Sequence, residues 1–188
     1  MKSENQFSQD KKYLRSYARQ RRASLQNKSD LDFKICQKFL CCDLYKKANT
    51  VLAYCSLPDE INTDVIIQSA FDDGKKVAVP LCLDSNGTME FYYISSFDDL
   101  HIGSFGVREP SAKKSAQVQD FSQAVIILPG LCFDKNNYRL GYGKGYYDRF
   151  LEKHPLISVG LCYNSLIVDK LPTDIYDKKA DFVITESD

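Results

Sequence analysis

The sequence predicts an α/β fold built on a parallel sheet. Short apolar runs at 51–54 and 77–81 have the character of buried strands, and residues 64–71 between them read as a helix. A similar unit follows, because a predicted helix that opens near residue 146 lies between the apolar runs 125–128 and 157–161. Strands joined through a helix pair in parallel by a crossover connection, and ligands bind beyond the carboxyl ends of such strands.

Composition limits the partners of the chain. Its 188 residues are 44% hydrophobic, and Lys plus Arg equals Asp plus Glu at 25 each. With no net field to attract a polyanion, we expect no nucleic-acid partner. No run approaches the ~18 apolar residues that a membrane span needs. We expect a cytoplasmic monomer with a flexible segment at 1–10 and a single domain over 11–188.

The cysteines suggest packing and not chemistry. There are seven, their spacing contains no Cys-x-x-Cys pair, and only two histidines accompany them. These features argue against a zinc site or a disulfide framework. A Cys-His nucleophile has no supporting pattern. We expect buried thiols in a reducing compartment.

The first predicted helix, residues 10–25, carries a basic stripe. Lys11, Arg15, Arg19 and Arg22 lie along one side, with few acids to pair with. Like charges at this spacing repel one another unless something anionic lies nearby. The stripe is therefore either a solvated basic face or one side of an anion site.

Local signals set the other elements. Ser29 and Asp32 predict a helix start with Ser29 as its N-cap. The sequence Asp-Ser-Asn-Gly at 84–87 predicts a hairpin turn. Gly74 closes the helix that precedes the second strand. His154 stands before a proline, so it ends a helix and is not a catalytic base.

The end of the first strand offers a polar group. Residues 55–60 follow that strand directly, at the edge of the sheet where ligands bind. Glu60 can accept hydrogen bonds from a polar ligand there. Equally, Asp59 and Glu60 can favour the N-terminus of the next helix.

A glycine-rich loop follows the strand at 125–128. Its glycines, Gly141, Gly143 and Gly145, stand between Arg139 and a predicted helix, with Lys144 among them. Free N–H groups in such a loop, followed by a helix N-terminus, suit phosphate oxygens. A plain tight turn remains the alternative, because the spacing matches neither the Walker A pattern nor the dinucleotide fingerprint.

Carboxylates near this loop allow a magnesium site. Asp148 and Asp177 can hold Mg²⁺ beside a bound phosphate, because magnesium prefers oxygen ligands. Asp148 is otherwise a first-turn helix charge, and Asp174 or Asp181 can replace Asp177 as the second ligand.

These stretches together resemble the 5-formyltetrahydrofolate cyclo-ligase family. The glycine loop with its helix reads Arg-Leu-Gly-Tyr-Gly-Lys-Gly-Tyr-Tyr-Asp-Arg-Phe-Leu at 139–151, which is similar to the family signature. Weaker family motifs occur at 11–15 (Lys-x-x-Leu-Arg), 60–63 (Glu-Ile-x-Thr), 105–110 (Phe-Gly-Val-Arg-Glu-Pro) and 129–134 (Pro-Gly-x-x-Phe-Asp). The resemblance extends from about residue 11 to 185.

The resemblance implies a fold and a reaction. The fold would be a single-domain, three-layer α/β/α arrangement with a Rossmann-like, mostly parallel sheet, of the type found in sugar-phosphate isomerases and CoA-transferases. The substrates would be ATP, used with Mg²⁺, and 5-formyltetrahydrofolate. Phosphorylation of the formyl oxygen would make it a leaving group, and ring closure would give 5,10-methenyltetrahydrofolate, ADP and phosphate.

The resemblance also implies site residues. The catalytic residues would be Lys144, Arg139 and Tyr146, and the metal ligands Asp148 and Asp177. ATP would be bound by Lys11, Lys12, Tyr13, Leu14, Arg15, Arg139, Leu140, Gly141, Tyr142, Gly143, Lys144, Gly145, Tyr146 and Tyr147. Folate would be bound by Cys55, Glu60, Tyr142, Gly143, Lys144, Gly145 and Tyr146. Cys55 would act by packing.

Two other functions stay open at this point. One is an isomerase or CoA-transferase relative that shares the sheet and needs no ATP. The other is a nucleotide- or folate-binding module without catalysis. Turnover of folate in the presence of ATP and Mg²⁺ separates these possibilities from the cyclo-ligase.

Overall fold

The computed structural model describes residues 11–103 and 106–187. The expected flexible segment at 1–10 lies outside these residues. The helices are α1 (Lys11–Ala23), α2 (Lys28–Cys41), α3 (Asp43–Lys47), α4 (Asp64–Asp72) and α5 (Tyr146–Lys153). The strands are β1 (Thr50–Leu52), β2 (Lys76–Cys82), β3 (Met89–Ile94), β4 (Leu100–Ile102), β5 (Arg108–Pro110), β6 (Ala124–Leu128), β7 (Cys132–Asp134), β8 (Arg139–Leu140), β9 (Ile157–Leu161), β10 (Ile167–Val168) and β11 (Phe182–Ile184).

The main sheet confirms the predicted fold class. It has six strands in the order β11-β9-β6-β1-β2-β3. Neighbours pair in parallel from β11 to β2, and β3 pairs antiparallel with β2 through the predicted hairpin. β6 and β1 are fully buried, as strands covered on both faces of a parallel sheet must be. Helices cover the sheet in a three-layer α/β/α arrangement, with α5 against β3 and α2 against α4.

Two small sheets extend the main one. β7 pairs antiparallel with β8 and parallel with β10, and β4 pairs antiparallel with β5. Two strands of the first small sheet, β7 and β8, lie between β6 and α5 in the chain and therefore set the position of the glycine loop. Its link to β6 is tightly packed, because a Cβ on Gly130 or Gly160 would collide with the Phe133 ring.

One predicted cap was wrong. Helix α2 begins at Lys28, its N-cap is Asn27 in the left-handed conformation, and Ser29 therefore lies inside the first turn. Asn tolerates positive φ better than most residues, so the chain turns at Asn27 and enters the helix two residues early. The apolar face of this helix packs into the core, with Ile35 and Phe39 fully buried.

The structure also describes the state of the cysteines and the character of the helices. All seven cysteines are free thiols, and Cys36, Cys55, Cys132 and Cys162 are buried. Within the described ranges, no helix has the length and apolar character to cross a membrane.

Candidate active site

The candidate site lies where the carboxyl ends of β1 and β6 meet α1 and the glycine loop. β7 and β8 turn back after β6 and deliver residues 141–145 to this edge, where α5 begins. Gly143 and Gly145 have positive φ angles of 99° and 69°, which a side chain would strain. The loop is thus shaped by its glycines.

Buried Asp134 holds the hairpin that carries this loop. Its Oδ1 accepts hydrogen bonds from the backbone N–H groups of Asn136 (2.9 Å) and Tyr138 (3.0 Å). Its Oδ2 accepts one from the N–H of Leu171, at 2.9 Å. A carboxylate with three backbone donors ties the β7–β8 turn to the segment that leads to Asp177.

The four cations of the predicted basic stripe all face this edge. Lys11 forms ion pairs with Asp177 (2.6 Å) and Asp174 (3.1 Å). Burial works against the charge of Lys11, but the two carboxylates outweigh burial and raise its pKa. The lysine therefore stays protonated and available to an anionic ligand.

The next two cations of the stripe contact the glycine loop. The Arg15 Nε donates a 2.9 Å hydrogen bond to the carbonyl oxygen of Gly141. Its guanidinium also lies beneath Gly143, where an added Cβ would come within 3.1 Å of it. Arg19 lies over the ring of Tyr142, 5.4 Å from the centroid. Arg15 and Arg19 therefore support the loop, although Arg19 is itself exposed.

Arg139 is buried at the base of the loop. Its NH2 pairs with Asp148 Oδ1 at 2.9 Å, and its NH1 donates to the carbonyl oxygen of Lys178 at 2.7 Å. Burial lowers the pKa of Arg139, and Asp148 opposes this effect. The backbone N–H of Lys178 also donates to Asp148, at 3.0 Å. Arg139 and Asp148 thus join the loop to the segment around Asp177.

Each predicted magnesium ligand has a cation as its partner, because Asp148 pairs with Arg139 and Asp177 pairs with Lys11. Both Asp148 and Asp177 act on the charge of Arg139. The described residues contain no cluster of three or more metal-ligating side chains. Mg²⁺ is commonly bound by one or two carboxylates together with substrate phosphates and water, so this pair fits a metal that arrives with a nucleotide.

The alternative ligands are differently placed. Asp181 Oδ2 accepts hydrogen bonds from the N–H and the hydroxyl of Ser158, both at 2.8 Å, and so fastens the start of β11 to β9. Asp174 is more exposed than Asp177, and its Oδ1 accepts from the N–H of Tyr176 at 2.9 Å.

Glu60, in the segment that follows β1, contacts the glycine loop at Tyr142. It is 7% exposed, its Oε2 accepts from the N–H of Leu57 at 2.9 Å, and its Oε1 accepts from the Tyr142 hydroxyl at 3.1 Å. Burial raises the pKa of Glu60, while the Leu57 N–H, the charge of Arg22 and the Tyr142 hydroxyl oppose that rise. The alternative role of Glu60, as a charge at the next helix N-terminus, is not what these contacts show.

A buried network holds the Glu60 segment in place. Asp32 accepts hydrogen bonds from the Tyr163 hydroxyl (2.5 Å) and the N–H of Asn62 (3.2 Å), and it pairs with Lys28 at 2.7 Å. Sequence reasoning gave Asp32 only a place in a first helical turn. Its acidic character in a core-facing helix was the one available signal.

The remaining predicted residues fall into two groups. Cys55 is buried, and burial raises the pKa of its thiol to about 12, consistent with packing. Leu140 is also buried, and its carbonyl oxygen accepts from the N–H of Leu131 at 2.7 Å. Lys12 and Tyr13 are exposed, and Leu14 packs against the core.

The loop residues nearest α5 face the β2–β3 hairpin. The Tyr146 hydroxyl donates to the carbonyl oxygen of Asp84 at 2.7 Å, away from Glu60. Arg149, which sequence reasoning did not select, donates to the carbonyl oxygens of Lys144 and Gly87. Lys144 is exposed at the loop tip. Tyr147 lies beneath the loop, 5.9 Å from the Arg139 guanidinium.

Comparison with known proteins identifies the family of the chain. The family model described as the 5-formyltetrahydrofolate cyclo-ligase family matches residues 7–186. A probable 5-formyltetrahydrofolate cyclo-ligase of Schizosaccharomyces pombe is 31% identical, over 80% of this chain and 81% of the relative. The mouse 5-formyltetrahydrofolate cyclo-ligase is 28% identical, over 94% of this chain and 93% of the relative.

Solved structures agree as well. The NMR structure of Aquifex aeolicus 5,10-methenyltetrahydrofolate synthetase superposes with a TM-score of 0.83 at 28% identity, covering 95% of this chain and 90% of that one. The Mycoplasma pneumoniae 5,10-methenyltetrahydrofolate synthetase gives a TM-score of 0.75 at 25% identity, covering 95% and 99%. From its sequence, its fold and the residues around its glycine loop, the chain belongs to the 5-formyltetrahydrofolate cyclo-ligase family.

Proposed function

We propose that the protein catalyses the ATP-dependent cyclisation of 5-formyltetrahydrofolate to 5,10-methenyltetrahydrofolate, with release of ADP and phosphate. The observation that carries this proposal is the placement of one glycine loop between two sets of groups. Arg15 contacts the loop at Gly141, on the side of the basic stripe. Glu60 contacts it at Tyr142, one residue later. A loop in this position can bring a phosphate and a folate together.

The chemistry explains why ATP is needed. The formyl oxygen is a poor leaving group because the amide-like nitrogen donates into its carbonyl. When that oxygen attacks the terminal phosphorus of ATP, ADP leaves and the oxygen becomes part of a phosphate ester. The second folate nitrogen then attacks the formyl carbon, the ring closes and phosphate departs. The protein contributes mainly positioning and charge neutralisation.

The basic stripe and Arg139 suit the ATP phosphates. Lys11 and Arg15 come from α1, and Arg139 comes from β8. Their present partners are carboxylates and a loop carbonyl, which phosphate oxygens can replace as acceptors. The exposed amine of Lys144 would then neutralise charge on the phosphoryl group in transfer. The backbone N–H groups of the loop would add further donors.

Glu60 suits the polar edge of the pterin. Its carboxylate can accept from two neighbouring N–H donors of the ring, in the place that the Tyr142 hydroxyl occupies in this structure. Buried Cys55 forms part of the apolar surroundings. Tyr142 and Tyr146 would line the gap between the two substrates.

We propose Mg²⁺ as the metal, with Asp148 and Asp177 as its protein ligands. Bound there, the ion would neutralise phosphate charge. Lys11 and Arg139 hold these two carboxylates in the structure described, and they would turn to phosphate when the nucleotide is present. We further propose a cytoplasmic monomer, for which the free cysteines fit a reducing compartment.

An absorbance assay tests the reaction. The purified chain is mixed with 5-formyltetrahydrofolate, ATP and Mg²⁺, and the near-ultraviolet absorbance of the methenyl product is followed. We expect product only when both substrates and the metal are present. Binding of both substrates without product would reduce the protein to a binding module. Conversion without ATP would favour an isomerase-like activity.

A further inference from the structure

Arg22 is a buried cation next to the proposed folate end of the site. It lies in the last turn of α1 and is 6% exposed. Its NH2 donates to the carbonyl oxygen of Gly130 at 2.5 Å, and its NH1 lies 3.6 Å from Asp59 Oδ2. Its Nε and NH1 make no hydrogen bond within the described residues. A guanidinium with two unbonded nitrogens in the interior is costly, so its charge requires a counterpart.

The arginine connects two loops at the carboxyl end of the sheet. Gly130 follows β6, and Asp59 belongs to the segment after β1 that contains Glu60. Both loops are distant from α1 in sequence. One side chain therefore sets the spacing of the two loops between which a folate would enter.

The charges around Glu60 make Arg22 important. Four other ionisable groups interact with the Glu60 carboxylate. They are Asp59 from the same loop, Tyr54 from the end of β1, Tyr142 from the glycine loop and Tyr147 from α5. All four are acids or phenols. Arg22 is the one cation among the leading influences on the Glu60 carboxylate. The positive charge of Arg22 also acts to lower the pKa of Tyr54, Tyr142 and Tyr163, against the larger effect of burial.

We propose that Arg22 is a positioning residue for folate binding, which fixes the two loops and places a buried positive charge beside the segment that carries Glu60. This inference rests on the proposed role of Glu60 as the folate acceptor. A carboxylate accepts from two N–H donors, whereas a protonated carboxyl group offers a donor in the wrong place. Without the arginine, burial and the neighbouring acids would favour the protonated form.

The first experiment measures Glu60 directly, in the ligand-free protein. The protein is labelled with ¹³C at glutamate carboxyl groups, and the Glu60 resonance is assigned by its loss in Glu60→Gln. We expect Arg22→Met to move the Glu60 titration midpoint upward by about one pH unit or more. Asp59→Asn, at an exposed position, should move it downward. An unchanged midpoint in Arg22→Met would overturn the proposal.

The second experiment measures binding of 5-formyltetrahydrofolate by calorimetry from pH 5.5 to 8.5 (about the range over which such a shift is visible). We expect Arg22→Met to weaken folate binding by up to about tenfold toward the acid end of this range, as a one-unit shift allows, and to lose less affinity as pH rises and Glu60 ionises. ATP affinity should stay within about twofold. Arg22→Lys keeps the charge and should keep a midpoint near that of the unaltered protein.

The outcomes separate the two levels of inference. If Arg22→Met weakens folate binding equally at every pH, Arg22 acts only by fixing the two loops, and the charge role that the proposal assigns to it is overturned. If Arg22→Met does not fold, the Glu60 midpoint in Arg22→Lys decides. An upward shift of about one pH unit in that variant, which keeps the charge, would contradict the charge role of Arg22. Failure of the proposed function would appear elsewhere, as an absence of methenyl product from the unaltered chain.

Discussion

The hydroxyl of Tyr142 donates a hydrogen bond to Glu60 Oε1 over 3.1 Å, so a glycine-loop residue occupies the proposed folate acceptor. Tyr142 is also held by Arg19, and its neighbour Gly141 by Arg15. The basic helix therefore supports the loop in the position that covers Glu60. In the proposed folate complex, the pterin would compete with this hydroxyl for Oε1 of Glu60.

Tyr142→Phe tests this competition. The variant keeps the ring but loses the hydroxyl that occupies Glu60. Because a hydrogen bond to a charged group is worth about 1.5–3 kcal/mol, we expect the Kd for 5-formyltetrahydrofolate to fall about tenfold or more. Calorimetry measures this directly. An increase in Kd would show that the hydroxyl contributes more to folate binding than to holding the loop.

Lys144→Ala should lower turnover far more than binding. The side chain is exposed at the loop tip, so its removal should change stability by less than about 0.5 kcal/mol. Loss of one charge-stabilising group in phosphoryl transfer typically lowers kcat about 10²–10³-fold. Because this interaction is made in the transition state and not in the bound ground state, the folate Kd should change by less than about threefold. Lys170→Ala, another exposed lysine, is the matched control. Equal losses in the rate and in folate binding would contradict the role of Lys144.

Local patterns predicted the scaffold well. The apolar run at 157–161 coincides with β9, and the turn at 84–87 joins β2 to β3. Each depends on neighbouring residues only: a short buried strand reads as a continuous apolar run, and an Asn-Gly pair sets the turn. The cap at Ser29 failed because Asn27, two residues earlier, adopted a conformation that local preferences leave open.

The site required information that no local pattern carries. Glu60 and Tyr142 are 82 positions apart, and Arg22 and Gly130 are 108 apart. Such contacts are set by the crossover connections of the fold. The spacing of neighbouring residues does not predict them. The basic stripe on α1 was visible in the sequence, but only the structure shows that Arg15 and Arg19 contact the loop. The family resemblance predicted which motifs belong to one site, whereas the ion pairs of Lys11 and Arg139 are visible only in the structure.

Asp134 should be a stability residue. Its buried carboxylate satisfies three backbone donors, so Asp134→Ala would leave them unpaired. We expect a loss of about 2–5 kcal/mol in the free energy of unfolding, measured in urea. Asp120→Ala removes an exposed carboxylate that accepts from Ser122, and it should cost far less than Asp134→Ala. A small loss at Asp134 would mean that the hairpin finds other partners.

The Lys11 ion pairs should make stability depend on pH at both ends. The pKa of Lys11 is raised, against burial, by Asp177 and Asp174, so its contribution is present below about pH 10 and is lost as pH rises through the raised value. The pKa of Asp174 is lowered, first by the N–H of Tyr176 and then by Lys11. Its contribution is therefore present above about pH 4 and is lost as pH falls through the lowered value.

Urea unfolding of the unaltered protein and of Lys11→Met checks this window. The difference in free energy between them should be largest at neutral pH and shrink toward both extremes. Lys34→Met, an exposed position on α2, is the control and should show no such dependence. A difference that stays constant with pH would mean that Lys11 contributes through packing and not through its ion pairs.

Asp177→Asn and Asp174→Asn distinguish the proposed metal ligands. Both carboxylates pair with Lys11, but Asp177 is the less exposed of the two and also acts on Arg139. Replacing a carboxylate ligand should raise the Mg²⁺ concentration for half-maximal rate by at least about tenfold, whereas loss of Asp174 should change it by less than about threefold. Binding of Mn²⁺ with ATP, followed by water proton relaxation, gives a readout independent of turnover. A larger effect at Asp174 in both measurements would reassign the ligand to that residue.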